Sequence, residues 1–392
     1  MVTDSLTYPA SVQATDTNDV CDRSSVLSRT FSSLKWFLAL TVVADHFFRI
    51  TPTTAGGVAF DTASYPGFTF ICDFVSHFIK NYAVPVFFFM SGYLAYRSDI
   101  LTRNDWKRIL SKKTRSLVIP FLAFTLFGIL VFYALNLILY FKGSMQASVA
   151  FMPFIAADGS MDFSNLGSMI IGIGSDTYFP YYNVPLWYVR DLFALFLLLP
   201  AIHYAVRRLN APCLLIILAL ALILLTGAWF ARPQVGLFFF TWGYWMRSRH
   251  IDPEKSFSRT LPIVVILYPL LSTICLFLSD THPELTRIIH NANTILIVPF
   301  LIGIFSILVR NGILSGSGFL ASASFLLYVT HLCWMWIFKD IILRTVNPAD
   351  GSIAGTLSLL ATYIILIITT LILYKALSVY TPRFLNLICG RY

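Results

Sequence analysis

Apolar runs of about twenty residues recur along this chain between short polar breaks, and that is the length an α-helix needs to cross the hydrocarbon core of a bilayer. A backbone in lipid must satisfy its own hydrogen bonds, so runs this long are read as helices. The pattern predicts an all-α, polytopic integral membrane bundle of about ten transmembrane helices, at 32–51, 78–96, 116–139, 184–204, 211–229, 233–247, 260–278, 287–309, 317–338 and 354–376. The sixth is short, and Gly236 and Gly243 within it predict a thin, irregular element. Pro85 is expected to kink the second. Residues 1–30 hold four aspartates and no apolar core, which predicts a disordered tail and no cleaved signal peptide. Residues 31–377 form the transmembrane domain and 378–392 a short second tail.

Lys and Arg set the orientation, because cytoplasmic loops are enriched in them. The densest block, Arg97, Arg103, Lys107, Arg108, Lys112, Lys113 and Arg115, lies between the second and third spans. The loops 52–77 and 140–183 hold only Lys142 as a base. Both termini are therefore expected in the cytoplasm. Charged residues make up 12% of the 392, about half the share of a soluble domain. The net charge of +9 follows the membrane sides and does not mark a nucleic-acid binder. Six scattered cysteines form no CxxC pair, so no metal site or disulfide framework is expected. The 140–183 connection leads into the run YFPYYNVPLWY. Anchoring of Tyr181, Tyr182, Trp187 and Tyr188 at the membrane interface explains that run, and a lid over an outward-facing pocket is the alternative.

Chemistry concentrates in the first span, LKWFLALTVVADHFFRI, which carries Lys35 at one end and Asp45, His46 and Arg49 at the other. Ionisable groups in hydrocarbon are costly and mark function. Eleven residues separate Lys35 from His46, so they share a helix face about 16 Å apart along the axis. A neutral imidazole can accept the proton of an attacking hydroxyl near neutral pH. Asp45 is better placed to pair with Arg49, four residues on, than with the adjacent His46. Arg190, beside Asp191 in the fourth span, needs a partner or a wet cavity, and an acid from another helix or a phosphoryl group on a lipid-linked substrate could serve it. In the ninth span Ser324, Tyr328 and His331 form one stripe, with His331 at a depth comparable to His46, which suggests a shared pocket. His290, Asn291 and Asn293 add polar groups on that side. Ser91 and Gly92 read mainly as a close helix contact. The basic block that follows Arg97 suits a phosphate-bearing ligand or an anionic headgroup, although orientation alone also explains part of it.

Taken in order, these markers resemble the membrane acyltransferase-3 family, in its sugar and polysaccharide O-acyltransferase branch. They are a base, ten residues and a histidine (Lys35 to His46), FFFMSGYL at Phe87–Leu94, KKTRSLVIP at Lys112–Pro120, LWYVRDLF at Leu186–Phe193 and SFLLYVTHLC at Ser324–Cys333. Together they extend over residues 31–338. Many relatives have Arg where this chain has Lys35, which keeps the charge but not the guanidinium fork. The resemblance implies transfer of an acyl group, commonly acetyl, from cytoplasmic acyl-coenzyme A to a hydroxyl of a cell-surface or lipid-linked glycan. The setting it implies is a bacterial inner membrane. It places His46 as general base, with Arg190, Tyr328 and His331 as the remaining catalytic candidates. Lys35, Arg97, Lys112, Lys113 and Arg115 become the donor-binding candidates, with no permanently bound cofactor and no metal. The expected partners are acyl-coenzyme A, the glycan or lipid-linked sugar acceptor and membrane lipids, with no nucleic acid; the sequence leaves homo-oligomerisation open. A non-enzymatic transporter or flippase for a glycan or lipid is the competing class, since the same buried charges would suit a translocation path.

Overall fold

The structure is a computed structural model and describes residues 16–49, 66–79, 82–143, 184–225, 233–345 and 353–390. Those residues are helical apart from short connections, with no strand among them. The helices are α1 (Asp16–Arg49), α2 (Pro66–Phe74), α3 (Ala83–Ala95), α4 (Arg103–Lys113), α5 (Ile119–Phe141), α6 (Trp187–Leu197) and α7 (Leu199–Arg208). They continue as α8 (Ala211–Leu225), α9 (Pro233–Ser248), α10 (Pro253–Leu278), α11 (Pro283–Arg310), α12 (Gly318–Thr345), α13 (Ile353–Tyr380) and α14 (Pro382–Ile388). Widened π turns follow α2 (Val75–Ile79) and join α4 to α5 (Thr114–Val118).

Among the described residues six segments are long and apolar enough to cross a membrane: Val26–Phe48, Arg103–Ile138, Pro253–Leu278, Pro283–Arg310, Gly318–Met335 and Thr356–Tyr380. A seventh exists if α6 and α7, bent by 60° at their junction, count as one span. The bend has a local cause. Pro200, at the start of α7, has no N–H to donate to the Phe196 carbonyl four residues back, and its ring would clash with that carbonyl. The freed oxygen accepts instead from the Trp106 indole N–H of α4 at 3.1 Å. The expected second, fifth and sixth spans correspond to α3, α8 and α9. Helix α3 has 13 residues, or about 20 Å at 1.5 Å per residue, short of the roughly 30 Å core; the residues that join α8 to α9 lie outside those described. Pro85 does not kink α3, contrary to expectation. The helix begins at Ala83, so Pro85 sits in the first turn, where a backbone N–H has no intrahelical partner to lose.

Large apolar side chains face outward on α8 (Ile216, Ile217, Leu220), α10 (Ile263, Ile266, Phe277) and α13 (Ile364, Ile368, Ile372). A belt of this kind suits lipid rather than water. Inside it, α1 is the central post. Leu34 and Leu38 bury into the main core with Val86 and Phe89 of α3 and Phe239 of α9. Ala39, Val43 and Phe47 pack against Leu327 and Leu332 of α12 and Leu359 and Leu366 of α13.

Neighbouring contacts fix the helix directions. Phe31 meets Tyr93 while Phe37 meets Tyr82, so α1 and α3 are antiparallel. Arg29 backs onto Gly316 at one end of α12 while His46 meets His331 further along, so α1 and α12 run the same way. Helices α3 and α9 touch backbone to backbone. A Cβ on Gly92 would lie 2.0 Å from the Phe240 carbonyl oxygen, and one on Gly243 2.1 Å from that of Phe89. Small residues permitting close approach are a known device of membrane helix pairs. The sequence anticipates this at Gly92, whereas Gly243 does not disrupt α9 but supplies the reciprocal contact. Asn291 and Asn293 are likewise interhelical ties. The Asn291 amide donates to the Ile223 carbonyl at 3.3 Å, and that of Asn293 to the Tyr268 carbonyl at 3.3 Å and Ser272 Oγ at 3.0 Å.

Candidate active site

Two imidazoles meet in the half of the bundle away from Lys35. His46 of α1 and His331 of α12 have ring centroids 5.3 Å apart and planes inclined by 37°, so the two positions that the sequence places at similar depth share one site. His331 is fully buried, and its Nδ1 donates to the Tyr328 carbonyl oxygen at 2.7 Å. Because a carbonyl can only accept, Nδ1 carries the proton, and Nε2 of the neutral ring is the acceptor. That Nε2 is buried with no hydrogen-bond partner among the described residues. Among the described residues, Asp45 and His46 of α1 lie within electrostatic reach of the ring. His46 itself is half-buried. The side chain of Arg49, the partner expected for Asp45, lies outside the described residues.

Tyr328 is built into the frame of this site. Its hydroxyl donates to the backbone oxygen of Pro185, in the 3₁₀ turn Val184–Leu186 ahead of α6. Its ring meets Tyr188 edge-on at 6.1 Å. The Tyr188 ring packs on Phe88 at 4.7 Å, and its hydroxyl lies 3.4 Å from Ser91 Oγ. Interfacial anchoring is therefore not the task of Tyr188, which joins α3, α6 and α12 inside the bundle; Tyr181 and Tyr182, and the lid expected at 140–183, lie largely or wholly outside the described residues. Ser324 also turns inward, donating to the Ala321 carbonyl of its own helix at 2.8 Å. The Arg190 Nε donates to Oδ1 of the adjacent Asp191 at 2.8 Å, both side chains being part-buried. Neighbouring residues on a helix diverge, and the long Arg side chain reaches back across that divergence.

At the other end of α1 lies a cavity of about 320 Å³. Leu27, Ser28, Phe31, Ser32 and Lys35 of α1 line one side, and Tyr93, Leu94, Tyr96 and Arg97 at the end of α3 line another, with Arg247 of α9 completing it. Three cations thus converge on one space. The Arg247 guanidinium lies over the Tyr93 ring, 5.2 Å from its centroid, and donates to the Tyr93 hydroxyl at 3.3 Å. Its short separation from Tyr93 follows from the close α3–α9 contact at Gly92 and Gly243. On the rim, Tyr96 donates to the Asp99 carboxylate, which holds that carboxyl below its ordinary range, and Arg207 pairs with the same oxygen at 2.9 Å.

The structure brings Lys35 and Arg97 together but leaves Lys112, Lys113 and Arg115 outside the lining. Lys112 and Arg115 are exposed. The Lys113 ammonium sits 4.5 Å over the Phe196 ring, within electrostatic reach of Arg97. Arg247 is the residue that sequence reasoning missed. It ends a short apolar helix beside Arg249, where the charge bias that sets topology accounts for any base, and only the α3–α9 packing turns it toward the cavity. Measured along α1, Lys35 at the near edge of the cavity and His46 are about 16 Å apart.

A family model described as an acyltransferase domain, acyltransferase-3, matches residues 31–375. No curated protein and no solved structure matches the chain.

Proposed function

This chain belongs to the acyltransferase-3 family, and from that premise we propose that it is an O-acyltransferase, using acetyl-coenzyme A from the cytoplasm to acylate a hydroxyl of a cell-surface or lipid-linked glycan. The reading includes ten membrane crossings in a bacterial inner membrane, with both termini cytoplasmic. The short α3 crosses inside a bundle whose outer helices, α8, α10 and α13 among them, carry the lipid contact.

One observation carries the reading. A three-cation cavity and an imidazole pair lie on the same helix, in opposite halves of the bundle. Lys35, Arg97 and Arg247 hold the phosphates of the donor, since guanidinium groups bind phosphate through paired donors and the ammonium adds charge. Tyr93 and Tyr96 offer aromatic faces beside them. The extended arm of the donor then carries the thioester along α1 toward His46. There the acceptor oxygen attacks the thioester carbonyl while its proton passes to the imidazole. The carbon–sulfur bond breaks, and the protonated imidazole returns its proton to the thiolate, giving the ester and free coenzyme A thiol. Arg190 contributes positive potential to the developing oxyanion. A hydroxyl already donated to Pro185 makes Tyr328 a scaffold for this step rather than a donor to it.

The test uses the full chain in lipid nanodiscs, acetyl-coenzyme A labelled in the acetyl group, and the lipid-linked glycan fraction of the host. Label recovered covalently on the glycan supports transfer. Glycan movement across a vesicle membrane with no label would establish the transporter reading instead.

A further inference from the structure

Buried imidazoles of neutral charge usually satisfy both nitrogens, since an unmet polar atom in a dry interior costs free energy. His331 satisfies one. Nδ1 is fixed as a donor by the Tyr328 carbonyl, and Nε2 is left as an acceptor with no partner among the described residues. The ring of His46 lies beside it, with centroids 5.3 Å apart. Both rings have a defined backbone frame, because α1 and α12 pack along their length through Ala39, Val43, Leu327 and Leu332.

We propose that His331 is the positioning residue for His46: its Nε2 accepts a hydrogen bond from one ring N–H of His46, directly or through one water, and so fixes the tautomer in which the other His46 nitrogen is free to take the acceptor's proton. This rests on the assignment of His46 as the base. The role is the one a carboxylate plays behind many catalytic histidines, filled here by a neutral imidazole whose own tautomer is set by a main-chain carbonyl. No proton moves to His331. When His46 takes the hydroxyl proton it becomes imidazolium, and the same hydrogen bond strengthens because its donor is now charged. When the thiolate recovers the proton, the pair returns to its starting state. A bond of this type tightens only as substrates assemble, which suits two rings at the present separation. Asp45 of α1 lies within electrostatic reach of His331.

Two substitutions separate this role from simple packing. His331→Asn keeps a donor near the Nδ1 position and thus the bond to Tyr328, but removes the acceptor at Nε2. His331→Gln gives up the Tyr328 bond and places an amide oxygen near Nε2. Each full-length variant is assayed in nanodiscs with labelled acetyl-coenzyme A and the host lipid-linked glycan fraction, beside wild type. In parallel, carbethoxylation of His46 by diethyl pyrocarbonate is followed by mass spectrometry, a readout that needs no acceptor. His331→Gln is expected to stay within about tenfold of wild-type kcat, and His331→Asn to lose about a hundredfold in kcat at little changed KM for acetyl-coenzyme A, the lower end of a general-base contribution. The rate of His46 modification is expected to change in His331→Asn and to resemble wild type in His331→Gln. Equal activities in the two variants, or a less active Gln than Asn, would overturn the proposal. A wild type that transfers no label, with His46 modified at the same rate in all three proteins, would overturn both this and the acyltransferase mechanism; label transfer by wild type and both variants alike would overturn only this one.

Discussion

Arg247 shows how much a single side chain depends on a contact elsewhere. Its guanidinium lies over Tyr93 and reaches the cavity because the α3 and α9 backbones touch at Gly92 and Gly243. A hydrogen bond to a charged group contributes about 1.5–3 kcal/mol, or roughly ten- to a hundredfold in affinity. Arg247→Gln is therefore expected to raise the KM for acetyl-coenzyme A by about that factor with kcat largely kept, as initial-rate kinetics would show. Replacing Lys112, Lys113 and Arg115 together with Gln is expected to change that KM less, because none of them lines the cavity. A larger effect from the triple variant would move the donor site away from the cavity. Lys35 and His46 were legible in the sequence, since a fixed helical spacing converts directly into a shared face and a distance. The pairing of His46 with His331 was legible as common depth only; contact required the packing of α1 on α12. The bond from Arg190 to the adjacent Asp191 was not legible, because side chains one residue apart on a helix usually diverge.

Among the elements, the α3–α9 pair is the most sensitive to added bulk. Gly92→Ala or Gly243→Ala would put a methyl group within 2.0–2.1 Å of a main-chain oxygen, and the backbones must move apart. Overpacking of this kind costs about 1–3 kcal/mol, so either variant is expected to lower the thermal midpoint in detergent and to raise the KM for the donor as Arg247 shifts. Gly236→Ala meets only the Phe88 ring and a Leu195 methyl at 3.1–3.3 Å, so a smaller loss is expected. If all three variants melted alike, the backbone contact would not be what sets the cavity. Long apolar helices such as α10, α11 and α13 could be read from hydropathy, because length and composition decide them. Hydropathy also marks α3, α8 and α9 within the expected spans 78–96, 211–229 and 233–247, but not the break between α6 and α7 inside 184–204. Pro200 leaves the Phe196 oxygen without its helical donor, and the indole N–H of Trp106, 90 residues distant in the chain, donates to it instead.

For the whole molecule, the helix directions place Lys35, Arg97 and Arg247 at one end and the His46–His331 pair in the other half. If that first end is cytoplasmic, a cysteine at Ser98 is shielded in intact cells from a membrane-impermeant maleimide, whereas one at Thr281, between α10 and α11, is labelled, both in a background lacking the exposed Cys213. The reverse pattern would invert the donor route. On the proposed reading the donor's anchor at Lys35 and the base at His46 share one continuous support, helix α1. The most direct measurement is a comparison of wild type and His46→Gln in nanodiscs, with acetyl-coenzyme A binding and acetyl transfer to the host's lipid-linked glycans measured on the same preparation. The account predicts unchanged donor binding in His46→Gln and a transfer rate lower by about a hundredfold or more. Transfer near the wild-type rate by that variant would contradict it.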